Sequence, residues 1–175
     1  MSNKSPVEIG ARSFSAEQRG VLTGIALAVI APPLAIAGLL RVLADIAPVP
    51  AVAFALAALP LAACIGRIAA YRFTAPAAID GSVPPGDAAL GRLRAILANT
   101  LEQTVLFVLA LLALAPVLPP SLAALPIAMA IWFVIARAIF AATYAKGAAA
   151  RAFGFAATFY PSLLGLVAAL VLALR

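Results

Sequence analysis

Histidine does not occur in the 175 residues, and cysteine occurs once, at Cys64. The first absence removes every Ser–His–Asp triad and every imidazole-ligated metal. The second removes any internal disulfide and any thiolate metal cluster. Charge is scarce as well: Asp, Glu, Lys and Arg make up 10% of the chain, whereas 66% is hydrophobic and the mean hydropathy is +1.15. A water-soluble domain carries about a quarter charged residues and about 45–50% apolar ones. Too few polar side chains remain to cover a water-facing surface, so the chain belongs in a bilayer. Chemistry here must rest on Arg, Tyr, Asn and Glu, and on any cosubstrate they hold.

The net charge of +6 does not indicate nucleic acid. The basic residues stand at the ends of apolar runs, where membrane topology accounts for them. Five runs reach or approach the roughly 20 residues that a helix needs to cross a bilayer. They cover about 20–43, 50–71, 90–115, 121–145 and 152–174. The first contains Pro32-Pro33 and is expected to kink there. The breaker "APVP" precedes the second, Pro116 and Pro119-Pro120 stop the third, and Lys146-Gly147 ends the fourth. Similar Ala/Leu/Pro stretches recur without a period, which is compositional likeness and not a repeat.

With five spans, Lys4, Arg12, Arg19, Arg67, Arg72, Arg92, Arg94, Lys146 and Arg151 fall on one side of the membrane, against Arg41 and Arg175 on the other. The positive-inside rule makes the first side, with the N-terminus, cytoplasmic. "AIA" at 35–37 resembles a signal-peptide cleavage site. The run is long for such a signal, however, and Glu8 and Glu17 precede it, so it reads as a span. The expected organisation is a cytoplasmic segment 1–19, an additional membrane helix 20–46, and a four-helix membrane domain 47–175.

Polar residues inside these runs raise the functional question. In "RLRAILANTLEQ", Arg92, Asn99 and Glu102 share one face at helical spacing, with Arg94 within reach of the interface. In the fourth span Arg137, Phe140 or Ala141, and Tyr144 form one stripe, and Arg151 follows seven residues later. Arg137 lies about two turns inside the span, where a charge costs about 2.5–3.5 kcal/mol on insertion scales. Two readings are open. In one, Glu102 pairs with Arg137 between helices, Asn99 bonds a neighbouring helix, and Tyr144 belongs to the interfacial aromatic belt. In the other, four arginines around one carboxylate mark a pocket for a small anion that also carries an amine. The excess of guanidinium groups favours the pocket.

"RLRAILANTLEQTVLF" and "ARAIFAATYAKGAAARAFGF" together resemble the MAPEG family, the membrane-associated proteins in eicosanoid and glutathione metabolism, over about residues 50–174. The resemblance implies an all-α membrane protein: a four-helix bundle, here with one additional N-terminal helix, assembled as a homotrimer. It further implies glutathione as cosubstrate and a lipophilic small molecule as its acceptor. Asn99 and Glu102 would hold the γ-glutamyl end, with Arg92, Arg94, Tyr144 and either Arg67 or Arg72 as further ligands. Arg151, aided by Arg137, would hold the sulfur as thiolate. Two positions depart from the family pattern: Ala95 stands where an arginine is common, and Phe140 where some relatives have tyrosine. The implied activity is glutathione transfer or peroxide reduction in a bacterial cytoplasmic membrane.

Two other functions remain open from the sequence: a non-catalytic lipid-binding or partner-presenting protein of the same fold, and a proton-coupled exporter using Glu102. Arginines that keep Glu102 ionised argue against the exporter. Elsewhere Cys64 reads as a packing thiol, Trp132 as a packing or lipid-facing residue, Tyr71 and Tyr160 as interface markers, and Asp80 and Asp87 as solvated loop residues.

Overall fold

The computed structural model describes residues 14–44 and 49–175. The basic positions 4 and 12, Glu8 and the first two residues of the 47–50 breaker lie outside the described residues. Among the described residues, five helices are long and apolar enough to cross a membrane. They are α1 (Ala16–Val42), α2 (Pro50–Thr74), α3 (Ala88–Leu114), α4 (Leu125–Thr143) and α5 (Ala148–Ala173). Short 3-10 turns flank α4 on both sides, at Pro120–Leu122 and Tyr144–Lys146. The fourth span is therefore a shorter helix than the apolar run alone suggests. Pro120 and Pro126 account for this at its start, because each lacks the N–H that a regular turn would use.

Local chemistry sets the helix ends. Ser15 caps α1 with a reciprocal box: its hydroxyl accepts from the Gln18 backbone N–H at 3.2 Å, and its own N–H donates to Gln18 Oε1 at 2.8 Å. Asp87 caps α3 by accepting the Leu90 N–H at 2.9 Å. It also receives the Tyr71 hydroxyl at 2.9 Å, which ties the end of α2 to the start of α3. These two residues are thus structural partners, where the sequence suggested an interface marker and a solvated carboxylate. Acidity and cap position in one residue explain the difference.

The α4–α5 break falls at Gly147, whose φ of +99° suits glycine alone among the residues there. Its partners then approach closely. A Cβ on Gly154 of α5 would stand 2.6 Å from the Phe140 backbone nitrogen of α4. On α1, Gly20, Gly24 and Ala28 recur every fourth residue, giving a narrow stripe of small side chains. A Cβ on Gly20 would meet Ala149 Cβ at 2.6 Å, and one on Gly24 the Phe153 nitrogen at 3.0 Å. With no hydrophobic force between helices in lipid, such small-residue contact is what lets α1 adhere to α5. α1 also touches α4, while α2 packs on α3 and α4.

The apolar core gathers Ala53 and Ala57 of α2, Phe107 and Leu111 of α3, and Phe133 of α4. Phe107 and Phe133 stack with ring centroids 4.4 Å apart. A second cluster joins Ala28 of α1 to Trp132 and Ala136 of α4 and Ala156 and Ala157 of α5. α5 contains Pro161, which cannot donate to the Ala157 carbonyl as a regular helix would require. The Trp132 indole Nε1–H fills that vacancy at 2.9 Å. Trp132 is therefore a buried bonding residue that joins α4 to α5.

Most hydroxyls in the spans bond back to their own helix. Thr104 donates to the Thr100 carbonyl at 2.7 Å, Thr143 to Ile139 at 2.7 Å, and Ser162 to Thr158 at 2.8 Å. Such bonds remove the need for lipid-exposed polar groups. They leave few polar side chains whose partners lie elsewhere, and those few define the site.

Candidate functional site

Arg137 of α4 is the largest fully buried side chain among the described residues, at 2% exposure. Its Nη2 donates to Asn99 Oδ1 at 3.1 Å and to Thr100 Oγ1 at 2.9 Å, both on α3. Phe140 lies under the guanidinium, with Cζ 4.1 Å from the ring centroid. All three partners are neutral. Nε and Nη1 of Arg137 are buried without a hydrogen-bond partner. A buried guanidinium that keeps two open donors is expensive in hydrocarbon, and the arrangement is suited to accepting an anion.

Thr100 extends this polar centre to a third helix. Its hydroxyl, buried at 1% exposure, also receives the Cys64 thiol of α2 at 3.7 Å. Cys64 is therefore half-buried beside the Arg137 cluster and not merely filler. Deeper along α3, Gln103 Oε1 accepts the Thr158 hydroxyl of α5 at 3.0 Å. Thr100 and Thr158 carry no charge and no unusual spacing, and Gln103 stands out in the sequence only as an amide in an apolar run, so none of the three is marked there as a site residue. The signal available was a run of polar residues at 99, 100, 103 and 104 inside an apolar helix.

Toward the membrane-end side of the same helices, Arg151 lies over the Tyr144 ring, with Cζ 4.6 Å from its centroid. Arg151 occupies the first turn of α5, just after Gly147. Tyr144 meets Phe140 edge-on at 5.4 Å. Seven residues separate Tyr144 from Arg137, about 10.5 Å along a helix. The site thus has two levels: Arg137 with Asn99 inside the span, and Arg151 with Tyr144 near its end.

The other candidates sit outside this buried group. Glu102, Arg92 and Arg94 are exposed on α3, and Asn99 is half-buried. The bonding partners of Arg137 are Asn99 and Thr100, and Glu102 is not among them. The Glu102–Arg137 pair entertained from sequence is therefore not formed. Successive residues turn by about 100°, so Glu102 lies about 60° from Asn99 on one side. The buried residues Thr100, Gln103 and Thr104 lie on the other side. The face shared by Arg92, Asn99 and Glu102 is the edge of the bundle and not its interior. Arg67 on α2 is exposed, whereas Arg72 is half-buried and donates through Nη2 to the Gly81 carbonyl at 3.1 Å.

Outside the spans, Asp80 and Asp87 both have their carboxyl pKa held below the ordinary value. The backbone N–H of Ser82 does this for Asp80, and that of Leu90 for Asp87, since each bond favours the charged form.

Comparison with curated proteins and with solved structures finds no match. A sequence model of the MAPEG family matches residues 46–171, well over half of the chain and all of α2 to α4 with most of α5. The five apolar helices and this match together make the chain an integral membrane protein of a family associated with glutathione and eicosanoid metabolism. The all-α chain belongs to the MAPEG family, with α1 as a helix additional to the matched region.

Proposed function

We propose that the protein binds glutathione and transfers it to lipophilic electrophiles, or uses it to reduce lipid hydroperoxides. The observation that carries this reading is Arg137: a guanidinium 98% enclosed by the protein, bonded to neutral partners through one nitrogen, with Nε and Nη1 unmet. A carboxylate of the tripeptide would complete it.

In this reading Asn99 and Glu102 receive the γ-glutamyl end, Glu102 meeting the amine. Tyr144, Arg92, Arg94, and Arg67 or Arg72 line the remainder. Arg151 holds the sulfur. A free thiol has a pKa near 8.5, and an adjacent guanidinium at a helix N-terminus lowers it. The thiolate attacks the electrophilic carbon of an apolar acceptor arriving from the bilayer and displaces its leaving group. With a hydroperoxide, two glutathiones yield one disulfide, the alcohol and water.

Glu102, exposed on a membrane-spanning helix, needs a covering partner. A homotrimer with sites between neighbouring copies supplies one, and the cytoplasmic side is the end bearing Arg151. Phe140 favours a second reading, because its ring meets Arg137 where a hydroxyl donor could stand. The protein would then hold glutathione or a lipid without turning it over.

Calorimetric titration of glutathione into detergent-purified protein, with Arg151→Ala and Glu102→Gln alongside, tests both. Absence of binding at millimolar ligand refutes the glutathione reading. Binding with an unshifted glutathione thiol pKa supports the non-catalytic one.

A further inference from the structure

Thr100 of α3 holds its hydroxyl differently from the other hydroxyls in the membrane helices. Thr104, Thr143, Thr158 and Ser162 each donate to a carbonyl of their own helix. The Thr100 side chain instead meets Arg137 Nη2 at 2.9 Å and the Cys64 sulfur at 3.7 Å. A hydroxyl has two acceptor sites and one donor. The guanidinium and the thiol fill the acceptor sites, and no acceptor for the Thr100 proton stands among the described residues. Nε and Nη1 of Arg137, itself 2% exposed, are also buried without a partner. One thiol and three unused donors thus belong to a single buried cluster.

Cys64 is also open toward the bilayer. It is half-buried, the next residue, Ile65, is 54% exposed, and a Cβ on Gly66 would meet nothing within 4 Å. Along α2 it stands about 15 Å from the Thr74 end, about half the thickness of a hydrocarbon core. Mid-chain carbons of lipids lie at that depth, and oxidised unsaturated chains carry their hydroperoxides there. A hydroperoxide group is polar, and in hydrocarbon it gains from donors such as Arg137 and Thr100. Its chemistry matches the cluster. A sulfur nucleophile attacks the terminal oxygen, the O–O bond breaks, and negative charge develops on the departing alkoxide. Fixed donors in a water-excluded site stabilise charge that develops in this way.

We propose that Cys64 is a peroxide-reducing thiol for hydroperoxides of bilayer acyl chains, with Thr100 and Arg137 as donors to the departing oxygen. The Cys64 sulfur bonds to the terminal peroxide oxygen. Thr100 accepts the thiol proton and gives its own to the alkoxide. The products are a Cys64 sulfenic acid and the lipid alcohol, the sulfur losing the two electrons that the peroxide gains. One low-molecular-weight thiol then converts the sulfenic acid to a mixed disulfide and water. A second releases the free Cys64 thiol and a small disulfide. The oxidation step uses no glutathione, so it stands independently of the glutathione reading.

Full-length protein in thiol-free phosphatidylcholine vesicles is given one equivalent of linoleoyl phosphatidylcholine hydroperoxide, with dimedone present to trap sulfenic acid. Cys64 is the only cysteine, so the intact mass reports the adduct, and the extracted lipid reports the alcohol. Both are expected in equal amounts. Thr100→Val keeps the shape and removes the hydroxyl; it should slow both about ten-fold or more, and Thr100→Ser should return them to near the native rate. Ile65→Cys in a Cys64→Ala background places a thiol at the same depth on the exposed side of α2, and its oxidation should be slower by a similar factor. A native rate matched by that variant or by Thr100→Val overturns the proposal, as does absence of the adduct in the native chain. Millimolar glutathione in place of dimedone should return the free thiol and release glutathione disulfide. A sulfenic acid that persists there makes Cys64 an oxidation end point and overturns the cycle. A chain that binds no glutathione by calorimetry yet forms the adduct supports this proposal while refuting the glutathione reading.

Discussion

Replacing Arg137 by methionine distinguishes a guanidinium kept for a ligand from one kept for the fold. In the native chain the charge is enclosed and no carboxylate is among its bonding partners. Placing arginine at that depth costs about 2.5–3.5 kcal/mol on insertion scales. Two hydrogen bonds from Nη2, each worth about 1.5 kcal/mol at the lower end for a charged donor, and the Phe140 contact roughly offset that penalty. Methionine has a similar reach, brings no charge, and keeps a sulfur–aromatic contact with Phe140. The expected change in folding stability is therefore small, within about 1.5 kcal/mol. Glutathione affinity should instead fall at least ten-fold. Reversible unfolding in mixed micelles reads the first quantity and calorimetric titration the second. A stability loss of about 3–5 kcal/mol, the size seen when one partner of a buried ion pair is removed, would refute this accounting and make Arg137 a structural element.

Three further outcomes follow from the helix contacts. Gly154→Ala places a methyl 2.6 Å from the Phe140 nitrogen; separating α4 from α5 should cost about 1–3 kcal/mol, read as a lower unfolding midpoint, while Gly38→Ala in open space should be close to neutral. Trp132→Phe leaves the Ala157 carbonyl without a donor and should lose about 1–3 kcal/mol; an unchanged midpoint would show that another group takes over. Asp87 has a depressed carboxyl pKa, so its cap is fully effective above the ordinary Asp value of about 3.9. The contribution is lost as pH falls through the lower, folded value. Hydrogen exchange at the Leu90 amide, corrected for intrinsic rate, should accelerate over that range, and Asp87→Ala should abolish the pH dependence.

The number of spans and the fold class were legible because 20-residue apolar runs and proline breaks leave few alternatives. The neighbours of each helix were not. Helical spacing places Asn99 and Glu102 on one side of α3, yet 60° of rotation separates a residue that reaches Arg137 from one that faces outward. Only packing against α2 and α4 decides where the interior begins. Arg137 stood out by its depth, whereas Thr100 has an ordinary side chain and acquires its importance from α4. The Gly20–Gly24–Ala28 stripe was readable in principle from its four-residue spacing. The Trp132–Ala157 bond was not, because the absent donor at Pro161 is local but its replacement comes from another helix.

That replacement bears on how the chain enters the membrane. A solitary α5 in hydrocarbon would carry one carbonyl, at Ala157, with no regular donor, at a penalty of several kcal/mol. The missing donor resides on α4, and only the short segment from Tyr144 to Gly147 separates the two helices. Entry of α4 and α5 together, as a helical hairpin already closed at Trp132, avoids that penalty. Proline in α5 thus makes its insertion depend on the helix before it, and gives the biogenesis of this chain a preferred order.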